Sequence, residues 1–255
     1  MSGEIASKIT QRALDYYYEE IYDKYLYGSN LQSCGSSYFL NNVIANLDYS
    51  ESTKHVLEVG AGKGELLSKI RKFSFNSYTC IDKRLPQNYA YEDILNYSKV
   101  DICHVQGDVE NMQFLDSQFD LTVSTCLFHH LSNPIAAILE LWRVTKTGGK
   151  MVIGMPTDPH ILNQIVKRTV SYRSMRRISR IAPEMIYALE HPNHARALIT
   201  YFEVLLGKKQ VEKKFYPFRL KSLDFNLQVV LICTVDKSLG LNLEFQEPIH
   251  SGSIN

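Results

Sequence analysis

The 255 residues are 45% hydrophobic and 22% charged, ordinary values for a globular chain of one larger domain. A net charge of +1, from 28 basic against 27 acidic residues, gives no electrostatic basis for binding nucleic acid. Five scattered cysteines without a CxxC pair argue against a zinc ribbon or a disulfide framework and for reduced thiols in a cytoplasmic chain. No apolar run reaches the about 18 residues of a membrane span, and the acidic first thirty residues lack a signal-peptide core.

In chain order, residues 4 to 27 are predicted as a tyrosine-rich helix in which Tyr18, Tyr22 and Tyr25 share a face. Tyr38 to Leu47 is a second helix. Val56 to Val59 is a short apolar strand, followed by a glycine turn and a helix from Glu65 to Phe73. Tyr78 to Ile81, Asp101 to Val105 and Asp120 to Ser124 are the next strands. Asn133-Pro134 opens a helix, since proline suits the first helical position, and Gly148-Gly149 stop it. Lys150 to Met155 is a fifth strand, and 157 to 209 is continuously helical. Val211 to Phe218 and Leu227 to Val235 are joined by a link too short for a parallel crossover, so they pair antiparallel. Strands alternating with helices imply βαβ units and a parallel sheet.

The segment Leu57-Glu58-Val59-Gly60-Ala61-Gly62-Lys63-Gly64 ends a strand and opens a helix. Glycines at such a turn let the backbone approach a ligand. Glu58 lies inside the apolar strand and needs hydrogen bonds at the turn, because an unpaired buried carboxylate is costly. Asp82 ends the second strand, placed to accept from ribose hydroxyls. Asp108, in Gln106-Gly107-Asp108-Val109, is placed at an adenine edge. A dinucleotide oxidoreductase would instead show GxGxxG and two similar halves; here Lys63 precedes the third glycine, and the back half is helical and then antiparallel.

These residues resemble the class I S-adenosylmethionine-dependent methyltransferases, whose glycine motif E-x-G-x-G-x-G is matched by Glu58 through Gly64. The family's second-strand acid falls on Asp82 and its adenine-side acid on Asp108, with Val109 beside the ring. Phe119-Asp120 through His129-His130-Leu131 is similar to its fourth-strand block. The resemblance covers residues 50 to 157, and the late strands extend it to 235. It implies an α/β fold: a Rossmann-like seven-stranded sheet, mostly parallel with an antiparallel last strand, helices on both faces, and a helical insert before the last two strands. It also implies S-adenosylmethionine as cofactor, held by Glu58, Gly60, Ala61, Gly62, Gly64, Asp82, Lys83, Asp108, Val109, Ser124, Thr125 and Tyr22. The expected organisation is a helical lid over 1–50, a cofactor-binding core over 51–157, an acceptor-binding insert over 158–209, final strands over 210–236 and a tail over 237–255.

For the acceptor, Ser124-Thr125-Cys126-Leu127 stands where methyltransferases of planar nitrogens carry N/D-P-P-Y/F, so base or glutamine methylation is not supported. No D-x-x-x-D/N-N pattern follows the fourth strand, and no metal is expected. A hydroxyl acceptor needs a base, and His129, His191 and His194 are the candidates, being largely neutral at cytosolic pH. Pro192 as first helical residue would set His191 and His194 at a helix start, whose positive end keeps an imidazole neutral. His129 and His130 are adjacent and cannot both enter one cleft, so His129 is the freer and His130 packs or touches substrate. Arg173, Arg176, Arg177 and Arg180 form one helix face, solvated or, through Arg173 and Arg177, gripping phosphate. The insert, with Phe215 to Phe218, Leu223 and Asn226-Leu227, is similar to that of methyltransferases encoded with bacterial surface-glycan genes. The expected function is O-methylation of a small molecule, sugar or phosphorylated glycan precursor. An aromatic or lipid-like acceptor, or a non-catalytic subunit, are the alternatives.

Overall fold

The computed structural model describes residues 12–17, 20, 36–47, 51–70, 75–86 and 100–241. Seven strands, β1 (His55–Val59), β2 (Ser77–Asp82), β3 (Asp101–Gln106), β4 (Phe119–Thr125), β5 (Thr145–Pro156), β6 (Val211–Tyr216) and β7 (Gln228–Thr234), form one sheet of order β3-β2-β1-β4-β5-β7-β6. The first five run parallel, and β7 lies antiparallel between β5 and β6. Central strands covered on both faces read as unbroken apolar runs: Val56, Leu57 and Val59 of β1 are wholly buried, whereas edge strand β3 alternates between exposed and half-buried residues.

Because strand side chains alternate, β1 feeds two cores. Leu57 and Val59 join Ile138 and Leu141 of helix α3 (Pro134–Val144) and Leu198 and Phe202 of helix α7 (Ala195–Leu206). Val56 turns to the other face, with Leu40 and Ile44 of helix α1 (Ser36–Ala45) and Leu66 and Leu67 of helix α2 (Glu65–Lys69). Helices therefore cover both faces, as the resemblance implied. Helix α1 sits on β5 where Gly154 offers no side chain; a Cβ there would lie 3.0 Å from Ile44 Cδ1 and 3.1 Å from Leu40 Cδ2. The segment 36–45 thus belongs to the core and is no part of a lid.

Two expected boundaries shift. Helix α3 is capped by Asn133, whose Oδ1 accepts from Ala136 N–H at 3.1 Å ahead of Pro134, but it ends at Val144, before Gly148-Gly149. The chain passes straight into β5, and its pairing with β4 jumps from Phe119–Thr145 to Leu121–Lys150. The two glycines serve that bulge: Gly148 has φ +79°, and a Cβ on Gly149 would meet the Asp120 carbonyl oxygen at 2.8 Å.

The insert is broken rather than continuous. It comprises α4 (Ile161–Val166), a π-helical stretch (Lys167–Ser171), α5 (Tyr172–Ile178), α6 (Pro183–Glu190) and α7. Helix α7 packs on the sheet and belongs to the core. Residues 12–16 are helical, and Tyr17 is buried with Met175 and Ile186 of the insert. No helix among the described residues is long and apolar enough to cross a membrane.

Candidate functional site

Parallel strands bring the ends of β1, β2, β3 and β4 to one edge of the sheet, where α/β folds bind their ligands. After β1, Gly60, Gly62 and Gly64 adopt φ of +68°, +51° and +72°, a left-handed region that disfavours side chains. Gly60 is doubly constrained, since a Cβ would lie 2.9 Å from Leu127 Cδ2. The turn consumes its own donors. Gly60 N–H donates to Ile81 O at 2.9 Å, Gly62 N–H to Asp82 Oδ2 at 2.9 Å and Gly64 N–H to Ala61 O at 2.8 Å. A phosphate-binding turn keeps such amides for the ligand; this one suits a cofactor without phosphate.

The predicted carboxylates stand at that edge. Asp82 ends β2 and accepts from Gly62 N–H and from Arg84 N–H at 3.0 Å, so it also ties β2 to the glycine turn. Asp108 follows β3, accepts from Glu110 N–H at 3.0 Å and pairs with Lys83 at 3.1 Å. Burial acts to raise its pKa, but the Glu110 amide and Lys83 hold the carboxyl below its ordinary value. Lys83 and Asp108, both expected at the cofactor, thus act as a pair. Val109 is buried in the core, and Ser124, near the end of β4, has a buried hydroxyl with no hydrogen-bond partner among the described residues. The residues fit S-adenosylmethionine: acceptor-only carboxylates for ribose and adenine donors, an unspent hydroxyl, and no free amide nest. Tyr22 lies outside the described residues.

Glu58 meets a partner that its motif does not reveal. The Tyr78 hydroxyl, one strand over, donates to Glu58 Oε2 at 2.8 Å. Burial pushes the Glu58 carboxyl up to about 8, against the lowering effect of that bond. It is therefore a protonated core group at neutral pH, its side chain enclosed in the sheet rather than spread along the turn.

Beyond β4, Cys126 takes φ +54° and donates its N–H to Gly154 O at 2.9 Å; burial pushes its thiol up to about 12, disfavouring the thiolate. The 3₁₀ turn Phe128–His130 follows. His129 is buried and His130 is the more open, with 32% of its side chain accessible, the reverse of the expected roles. Adjacency does not separate them: the tight turn tilts both rings to one side, with centroids 4.0 Å apart. His191 joins them, 4.4 Å from His129 and 4.9 Å from His130.

His191 is not at a helix start. It closes α6, and α7 begins only at Ala195, leaving Pro192 in the connection. Asn193 takes the linking role, its Nδ2 donating to Leu131 O at 2.6 Å and to Phe128 O at 3.3 Å. His194 is the exposed N-cap of α7, and no hydrogen bond or ring contact joins it to the other three histidines. Two residues absent from the sequence expectations complete the group. Asp158, just past β5, meets His191 Nδ1 at 3.3 Å and pairs with Lys167. Burial raises its pKa, but these contacts outweigh it and bring the carboxyl down to about 2.

Elsewhere the arginine face is shorter than expected. Arg173, Arg176 and Arg177 are exposed on α5, Arg176 pairs with Glu184, and Arg180 lies beyond the helix end. Asn226, expected at the acceptor pocket, is fully buried and organises the β6–β7 link: Nδ2 donates to Leu220 O and Ser222 O at 2.8 and 2.7 Å, and Oδ1 accepts from Phe218 N–H at 3.1 Å.

Residues 57–153 match the sequence family described as a methyltransferase domain. The chain is 30% identical over 112 residues to an uncharacterized methyltransferase of Schizosaccharomyces pombe, covering 40% of each chain. It is 25% identical over 137 residues to the ubiquinone/menaquinone biosynthesis C-methyltransferase of Bdellovibrio bacteriovorus, covering 52% of this chain and 55% of that one. It thus spans from two-fifths to just over half the length of these relatives. The solved N-methyltransferase NodS of Bradyrhizobium japonicum WM9, in complex with S-adenosyl-L-homocysteine, aligns at a TM-score of 0.51 and 16% identity, over 92% of this chain and 99% of that one. At that identity the likeness is one of fold. The central segment is thus matched in sequence by a methyltransferase domain, and the fold is shared with NodS over nearly the whole length.

Proposed function

We propose that the chain methylates an oxygen of a small-molecule acceptor bound over the carboxyl edge of the sheet, beside His129, His130 and His191. The observation that carries the cofactor assignment is the glycine turn closed on Asp82, with its amides spent internally. S-adenosylmethionine, when bound, supplies an electrophilic methyl group. The chain's own work is to hold the acceptor in line with it, where positioning contributes up to about 7–11 kcal/mol, and to take up the acceptor's proton.

An oxygen acceptor is favoured by what surrounds the approach. An amine need only be neutral, whereas a hydroxyl must lose its proton. Burial, ahead of mutual repulsion, keeps His129 well below its ordinary pKa, and His191 is lowered chiefly by burial despite the raising effect of Asp158. Of these rings His191, backed by the Asp158 carboxylate at 3.3 Å, is the one suited to take up a proton, since burial opposes the charged form at His129. Two of the proteins named above are a C-methyltransferase and an N-methyltransferase by name, and the histidine group is what favours oxygen here. A phosphorylated glycan acceptor has only the exposed arginines of α5 in its favour.

Calorimetric titration with S-adenosylmethionine tests the reading. Asp82→Ala removes the acceptor for Gly62 N–H and for ribose together, and should weaken cofactor binding by about 1.5–3 kcal/mol. Affinity within twofold of wild type would refute the assignment of Asp82, and absence of binding to the wild-type chain would refute the methyltransferase activity itself.

A further inference from the structure

Three imidazoles converge from segments sixty residues apart. One ligand nitrogen from each of His129, His130 and His191 lies within 4.8 Å of the others. Their tautomers are set from behind. His191 Nδ1 faces the Asp158 carboxylate at 3.3 Å, and His130 Nδ1 faces the Glu190 carbonyl at 2.6 Å. Each Nδ1–H donates outward and leaves Nε2 with its lone pair, the arrangement that backs histidine ligands of metal ions. His129 is only 5% exposed, and its Nδ1 is buried without a hydrogen-bond partner among the described residues. Buried imidazole nitrogens ordinarily have one.

We infer that His129, His130 and His191 bind one divalent transition-metal ion. All-imidazole donors suit zinc, iron, nickel or copper rather than magnesium or calcium. Metal–nitrogen bonds of about 2.0–2.1 Å bring ligand nitrogens to roughly 3.3–3.4 Å apart in a tetrahedron, so the ion would draw the three rings closer than their present spread. The carboxylates of Asp158 and Glu190, the latter 3.5 Å from His130 Nδ1, offset the ion's charge. The nearby cation Lys167 is held by Asp158 and lies over the Tyr187 ring, 4.1 Å from its centroid. Three protein ligands leave a fourth position open, the pattern of a catalytic rather than a structural site. An acceptor hydroxyl placed there would release its proton to solvent more readily, the three imidazoles serving in the metal-loaded chain as ligands and not as bases. That role rests on the oxygen-acceptor reading; the binding of the ion does not.

The test uses the full chain after treatment with a chelator. Zn²⁺ is titrated by calorimetry and Co²⁺ by visible absorption. One equivalent should bind, with the d–d bands of a four-coordinate nitrogen site and no thiolate charge-transfer band. His129→Ala and His191→Ala should each weaken Zn²⁺ binding by at least about 100-fold, and Asp158→Asn by about 10–100-fold, the usual cost of losing an outer-shell partner. Failure of the wild-type chain to bind Zn²⁺ at micromolar concentration overturns the inference. So does unchanged affinity in either histidine variant with a native circular-dichroism spectrum. Should both variants unfold, His130→Gln at the more open ring decides, unchanged affinity again overturning it. Methyl transfer is not read, so these outcomes stand apart from the fate of the acceptor assignment.

Discussion

Glu58→Gln should make the protein markedly more stable at pH 8 while leaving it nearly unchanged below pH 4.5. The Glu58 carboxyl is 2% exposed, and burial raises its pKa from 4.5 to about 8. A carboxyl whose pKa rises on folding holds its proton more tightly in the native state. Stability from this group is therefore full below the unfolded-state value and is lost as pH climbs from 4.5 to about 8. At about 1.4 kcal/mol per pH unit, the loss across that window is several kcal/mol. Glutamine keeps a carbonyl oxygen to accept from Tyr78 and has no proton to lose. Urea unfolding of both proteins at pH 5 and pH 8 measures the effect: the gap in favour of the variant should widen with pH. A gap that is the same at both values would show that Glu58 is ionised in the native state.

Phe202→Ala should cost about 3–5 kcal/mol, the range for removing a buried aromatic ring. Phe202 is fully buried on α7, and its ring lies 5.3 Å from that of Phe128, itself fully buried in the turn that carries His129 and His130. The contact joins the last insert helix to the histidine turn. The variant should therefore unfold at lower urea and also show loosened packing at the turn, read as faster amide exchange at residues 128–131. A loss below about 1.5 kcal/mol would mean that the site collapses around the gap. Unchanged exchange would mean that Asn193, not this ring pair, holds the turn.

The places of the glycine turn, Asp82 and Asp108 at the sheet edge were legible because a strand–turn–helix unit is a local pattern. The strands were legible too: the central parallel ones are short apolar runs, and the brief β6–β7 link forces an antiparallel return. Helix ends were less legible. Proline permits a first helical turn without requiring one, so Pro134 opens a helix while Pro192 does not. Gly148-Gly149 mark a bulge in β5 rather than a helix stop, because the register jump there is a property of pairing between two strands.

The sequence alone determined that this chain is a Rossmann-like sheet with a glycine turn after β1 and carboxylates following β2 and β3, since strand periodicity and glycine spacing are local. Tertiary structure decided which polar groups share a dielectric. Tyr78 meets Glu58 across β1 and β2, and Asp158 meets His191 across 33 residues. His191 reaches His129 and His130 because α6 ends against the turn after β4, whereas His194, three residues on, caps the next helix in solvent. Such partners are chosen by how helices pack on the sheet, and packing depends on the whole buried surface rather than on any neighbouring residue.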